Sequence, residues 1–236
     1  MRNIKIVVEY DGTDFSGWQY QPDRRTVQGE IERAILHITG EDVRVKGSGR
    51  TDAGVHALAQ VANFTLKSRI GLEKLRSGIN ALTGEDVYIQ SIEEVSEEFD
   101  ARFSAIERVY KYFIFPGHSP VRRRYAWEFD RPLDMEIMKM ASSFFPGEKD
   151  FTRFATKDRG KCTIFTSRID REGEFIVYTI SGNRFLRRMV RGIVGTIVGA
   201  GMGKFSPERI NDIFEGRMRR PAVAPPRGLF LWEVKY

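Results

Sequence analysis

Cysteine is all but absent. Cys162 is the single thiol in 236 residues, which excludes an internal disulfide and a zinc site built on cysteines, and points to a reducing compartment. Histidine is nearly as scarce: His37, His56 and His118 have no ligand spacing and no accompanying carboxylate motif, so no metal is expected. Long apolar runs are missing as well. The longest, residues 193–202, is too short and too rich in glycine to span a bilayer, and residues 1–10 read as a strand rather than a signal peptide. The expectation is a soluble, cytoplasmic chain with no membrane partner. Neither sign of charge dominates, since 38 Lys and Arg against 32 Asp and Glu leave a formal charge of +6. That modest excess favours a polyanionic partner without demanding one.

What is there is an ordinary globular composition, 41% hydrophobic and 30% charged, in a chain long enough for one large domain or two modest ones. Residues 3–10 alternate as a strand. Thr26 is a plausible N-cap for a helix whose apolar stripe is Val27, Ile31, Ala34, Ile35 and Ile38, with Gly40 as its stop. Residues 42–46 and 60–66 read as strands, 72–79 as a short helix and 87–92 as a strand. After residue 100 the pattern resembles a second copy of the same plan. Strands fall at 109–115, 164–170, 175–181 and 229–235, and helices at 135–145, 184–198 and 207–214. No linker and no convincing residue-level repeat separates the halves, so an N-terminal α+β half (1–100) and a C-terminal α+β half (101–236) are expected to share a sheet or a large interface.

Basic residues cluster in the second half, at Arg122, Arg123 and Arg124, at Arg184, Arg187, Arg188 and Arg191, and at Arg217, Arg219 and Arg220. Arginine's planar fork suits phosphate, although any one such cluster is ordinarily a solvated face. The most informative stretch lies in the first half: Gly49-Arg50-Thr51-Asp52-Ala53-Gly54-Val55-His56-Ala57. It sets one carboxylate between glycines, with an arginine two residues before it, in a tight loop between two strands. On spacing alone Asp52 reads as a side chain that caps a turn.

The nonamer resembles the active-site signature of tRNA pseudouridine synthases of the TruA type. Four further segments resemble that family in the right order: Tyr10-Asp11-Gly12-Thr13-Asp14-Phe15-Ser16-Gly17-Trp18-Gln19, then Ala101-Arg102-Phe103-Ser104-Ala105 leading into Arg108-Val109-Tyr110-Lys111-Tyr112, then Asn183-Arg184-Phe185-Leu186-Arg187-Arg188-Met189-Val190-Arg191, and Ala224-Pro225-Pro226-Arg227-Gly228-Leu229. The chain departs from the pattern at Phe15, a frequent tyrosine, and at Lys149 and Arg227, where many members carry histidine.

The resemblance implies an α+β fold in which two similar halves share a central mixed, mainly antiparallel sheet with the active-site cleft between them. It implies isomerisation of uridine to pseudouridine at positions 38, 39 and 40 of the tRNA anticodon stem-loop, by a homodimer and without a cofactor. Asp52 would be the catalytic carboxylate. It could act covalently at base C6 or sugar C1′, or as a base during glycal formation. Arg191 would be the cation paired with it, Tyr110 would stack on the target base, and Arg50 would fill the space that an extruded nucleotide leaves. Arg102, the arginines at 122–124, Arg187 and Arg188 are candidates for phosphate contacts. Bland readings stand beside these: a core aromatic for Tyr110, a surface cation for Arg191, a loop ion pair for Arg50. His56 and Gln60 are read as loop support and Tyr112 as packing. Two other classes compete. A catalytically silent tRNA-binding module on the same scaffold is opposed by the joint presence of Asp52, Arg191 and Tyr110. A glycosidase would require a second acid, and Asp11 and Asp14 fit turn chemistry instead.

Overall fold

Alternation of apolar side chains decides the first strand, β1 (Arg2–Tyr10), which buries Ile4, Ile6, Val8 and Tyr10 and turns Lys5 outward to an ion pair with Glu93. The computed structural model describes residues 1–236 and resolves them into two units, residues 1–106 with 231–236 and residues 107–230. In the first unit, helix α1 (Val27–Thr39) begins where the Thr26 hydroxyl accepts the Gly29 N–H, and it ends at Gly40. Next come β2 (Lys46–Gly47), β3 (His56–Leu66), α2 (Leu72–Leu82) and β4 (Val87–Val95). Both β3 and β4 pair antiparallel with β1, in the register Ile6–Ala62 on one side and Ile6–Ile92 on the other. The two helices pack on one another, with Ile38 of α1 against Gly78 of α2, and they bury Val27, Ile31, Ala34 and Ile35 of α1 and Leu75 and Ile79 of α2.

One strand expectation fails here. Residues 42–46 alternate as a strand should, and Val43 and Val45 are indeed buried, but only Lys46 joins a ladder, with Gly47. The Val45 N–H goes instead to the Glu32 carboxylate, 2.8 Å away on α1, so a side chain takes the place of a neighbouring strand.

The second unit opens with β5 (Glu107–Pro116), whose inward residues Tyr110, Tyr112 and Ile114 are buried as their spacing predicts. It continues through β6 (Trp127–Phe129), α3 (Met135–Ser142), β7 (Gly147–Asp150), β8 (Lys161–Glu172), β9 (Phe175–Gly182), α4 (Met189–Gly201) and α5 (Ile210–Phe214). Strand order is β5-β9-β8-β7, antiparallel throughout, with β6 added parallel to β5. The fold is therefore α+β on a mixed, mainly antiparallel sheet. The last strand, β10 (Leu229–Lys235), belongs to the first unit from Leu231 onward, where the Lys235 carbonyl accepts the Ile106 N–H at 2.9 Å.

Four helices differ from their sequence reading at their ends: α2 runs on to Leu82 past the expected 79, and 207–214 splits into a 3₁₀ turn and α5. Helix α3 stops at Ser142, three residues early, because the chain turns through 143–146 to enter β7. Helix α4 begins at Met189, not 184, since Arg188 takes a left-handed conformation (φ 60°) and residues 183–187 bond elsewhere. Asn183 exchanges bonds with Thr163, and the Arg187 N–H meets the Asp158 carboxylate at 2.9 Å. All thirteen residues of α4 are buried, Arg191 included.

Candidate active site

The Asp52 loop is fixed from its ends inward. At its start Ser48 gives its hydroxyl to the Gln60 carboxamide oxygen at 2.7 Å, and the Gln60 Nε2 donates to the Gly49 carbonyl at 2.9 Å. Both side chains are buried, so this exchange is shielded from competing water. At its end Gly54 adopts φ 74° and the Val55 N–H closes a turn onto the Asp52 carbonyl. His56, the first residue of β3, is fully buried. Its Nδ1 lies 3.1 Å from the Gly12 amide nitrogen. Asp11 Oδ1, also 3.1 Å from that Nδ1, is taken up by the N–H and hydroxyl of Thr13. Asp11 thus forms the turn its sequence suggested, and His56 and Gln60 support the loop.

The middle of the loop is held by the segment 10–18. Thr51 is buried; its carbonyl accepts the Trp18 N–H at 3.1 Å, and its hydroxyl lies 2.8 Å from that of Tyr10. Close approach of backbone to backbone requires the two glycines there. A Cβ on Gly12 would stand 2.0 Å from the Val55 carbonyl oxygen, and one on Gly17, itself at φ 100°, 2.7 Å from that of Thr51. The segment is anchored in turn by Arg25, whose guanidinium forks onto Asp86 at 2.6 and 2.8 Å and covers the Phe15 ring at 4.2 Å. The outcome is a half-buried Asp52 and an exposed Arg50 on either side of a buried anchor.

In the second unit Tyr110, 8% exposed, stands on β5 opposite Ile180, with the Phe185 ring edge-on at 5.1 Å. Arg191 occupies the first turn of α4 and is equally buried. Its Nε donates to the Ala224 carbonyl at 2.7 Å, while the Ala224 N–H returns a bond to the Arg191 carbonyl at 3.0 Å. This reciprocal pair ties the 222–226 strap to the helix. The surface reading of Arg191 is excluded.

Sequence reasoning gave no site role to the group beside it. The Tyr112 hydroxyl donates to the Pro225 carbonyl at 2.8 Å. Burial pushes this phenol far above its usual range, against the opposing pull of the Arg191 and Arg227 guanidiniums, so it remains a protonated donor. Arg227, one of the departures from the family pattern, gives Nε to the Ala126 carbonyl. Buried Arg108 donates to the Asn183 carbonyl at 2.7 Å and was likewise missed. The signal was present in each case: all three lie within motifs quoted above.

The remaining arginines differ in kind. Arg123, Arg124, Arg187 and Arg188 are exposed. Arg102 is exposed and lies over the Phe103 ring at 5.4 Å. Arg122 is held by Glu174 and covers Phe115 at 5.2 Å. Asp52 and Arg50 share one loop of the first unit; Tyr110 and Arg191 belong to the second. No three His, Cys, Asp or Glu side chains are grouped to hold a metal. A surface concavity of about 380 Å³ lined by Asp150, Thr152, Arg153, Arg159 and Phe214 contains none of the residues singled out from the sequence. No helix is long and apolar enough to cross a membrane.

Residues 6–104 and 141–236 match a family described as tRNA pseudouridine synthase. Relatives named tRNA pseudouridine synthase A align with the whole chain over their own full length. Those from Thermoanaerobacter sp. (strain X514), Brevibacillus brevis and Pelobacter propionicus are 41%, 42% and 42% identical over 244, 247 and 246 aligned residues.

Proposed function

The chain belongs to the tRNA pseudouridine synthase family, isomerases of tRNA uridine, and on that premise we propose that it acts in the anticodon stem-loop, at positions 38, 39 and 40, with Asp52 as the catalytic carboxylate. The observation that carries the assignment of Asp52 is its setting. It is a half-buried acid next to a residue anchored through both its side chain and its carbonyl, in a loop packed against a segment whose Gly12 and Gly17 admit no side chain.

The reaction breaks the C1′–N1 glycosidic bond, turns the freed uracil and forms a C1′–C5 bond. The C5 hydrogen leaves as a proton, and N1 ends protonated. Nothing is oxidised and no external group is added, so the chemistry calls for no cofactor. It calls for an ionised carboxylate near C1′ or C6, a group to manage the C5 proton, and a means of holding a base outside its stem. We assign these tasks to Asp52, to Tyr110 and to Arg50, with Arg191 as the cation that favours the ionised acid. Tyr110 suits its task because its ring is nearly buried and its hydroxyl can take or give a proton. The exposed arginines at 102, 123, 124, 187 and 188 would meet tRNA phosphates, with Arg122 joining them only by leaving Glu174. A homodimer is part of the same proposal, and light scattering that returns a monomer would remove it.

Position is tested directly by treating unmodified tRNA with the protein, derivatising with a carbodiimide that marks pseudouridine, and extending a primer along the product. Stops adjacent to positions 38, 39 or 40 are expected. Stops confined to another arm of the tRNA would overturn the positional assignment and leave the family membership intact.

A further inference from the structure

The residue next to Asp52 is held by a bond that no part of the reaction itself requires. Tyr10 ends β1 just past a bulge in its pairing with β3, where it stands opposite Ala57. That places its ring under the Asp52 loop, 6.0 Å from the Trp18 ring, with its hydroxyl 2.8 Å from Thr51 Oγ1. Tyr10 is 3% and Thr51 7% exposed, so the two hydroxyls satisfy each other away from water. Trp18 takes the Thr51 carbonyl from the same segment. Thr51 is thereby fixed at both ends, while its neighbours Arg50 and Asp52 face outward to differing degrees. Between Gly49 and Val55 no strand ladder holds the chain, so these contacts take its place.

We propose that Tyr10 is a positioning residue for the reaction: its hydroxyl holds Thr51 in place and so sets where the Asp52 carboxylate stands. The inference rests on the reading of Asp52 as the catalytic acid. Its physical basis is that a reacting group misplaced by a fraction of an ångström loses rate, whereas distant contacts to a large substrate are unaffected. Removing the bond should therefore appear in kcat and leave KM for tRNA alone.

The test compares Tyr10→Phe, Thr51→Val, their double variant and Thr51→Ser with the parent, using full-length protein and tRNA labelled with tritium at uridine C5. Circular dichroism and melting curves establish that each is folded. Loss of one buried hydrogen bond predicts that Tyr10→Phe and Thr51→Val each lower kcat by about fivefold to tenfold with KM unchanged. The double variant falls no further than either single one, because both remove the same bond. Thr51→Ser, which keeps the hydroxyl, recovers most of what Thr51→Val loses. Full kcat in Tyr10→Phe, a loss that lies in KM, or a double variant that falls by the product of the two would each overturn the proposal. Asp52→Asn, assayed alongside, separates the two failures. If it is inactive while Tyr10→Phe is unaffected, positioning by Tyr10 is wrong and the reading of Asp52 stands. If Asp52→Asn turns over normally, the reading of Asp52 fails and the role of Tyr10 fails with it.

Discussion

At the scale of single residues, burial distinguishes what type and spacing leave ambiguous. Tyr110 and Tyr112 alternate on one strand and look alike in sequence, yet only Tyr112 is wholly enclosed; its hydroxyl donates to the Pro225 carbonyl. Tyr112→Phe should therefore lower stability by about 1 kcal/mol in denaturant unfolding, the usual cost of one buried neutral hydrogen bond. Tyr110→Phe should leave tRNA binding intact and slow product formation. Cys162 is similarly settled by its surroundings. It is 1% exposed, and burial raises its thiol above the ordinary range, which keeps it from the reactive thiolate form. The folded protein is expected to resist an alkylating reagent that modifies it promptly after unfolding; equal rates in both states would contradict that. The loop that carries Asp52 was legible because it is a distinctive nonamer, and so were the supporting parts of His56 and Gln60. Arg108 and Arg227 were not, since a buried arginine and an exposed one are the same letter and only the carbonyls around them tell them apart.

At the scale of elements, local pattern served well wherever the backbone satisfied itself. Thr26 and Gly40 bound α1 as their chemistry suggests, and the alternation of β1 and β5 gave those strands. It failed where a side chain or a distant segment took over the backbone's bonds. Glu32 on α1 replaces a strand neighbour at Val45, and the contacts of Asn183 and Arg187 hold the chain off the helical path until Met189. Helix α4 forms as its pattern suggests even though a stretch containing four glycines is a poor helix by propensity. Those glycines serve packing. A Cβ on Gly195 would lie 2.1 Å from the Ala222 carbonyl oxygen, and one on Gly192 2.2 Å from that of Phe154. Gly195→Ala should accordingly destabilise by roughly 1–3 kcal/mol despite its better helix propensity, as overpacking does in a filled core. Gly71→Ala, in open space at the N-cap of α2, serves as its control; equal melting temperatures for the two variants would contradict the packing argument.

At the scale of the whole molecule, the α+β class and the general order of elements could be read from the chain. The return of residues 231–236 to the first unit could not, because it depends on contacts between residues more than a hundred positions apart. Net charge of +6 with arginines exposed in several places predicts strongly salt-dependent tRNA binding. If about six phosphates are engaged, affinity should fall on the order of a thousandfold between about 50 and 200 mM salt. A binding constant indifferent to salt would leave those arginines without a role in binding. The chemistry itself is reached most directly through the one atom the reaction must expel. Tritium release from tRNA labelled at uridine C5 is expected from the parent protein and not from Asp52→Asn, with tRNA binding retained by both. Release by Asp52→Asn at the parental rate would contradict the assignment of Asp52, and no release by either protein while both bind tRNA would identify a catalytically silent tRNA-binding module.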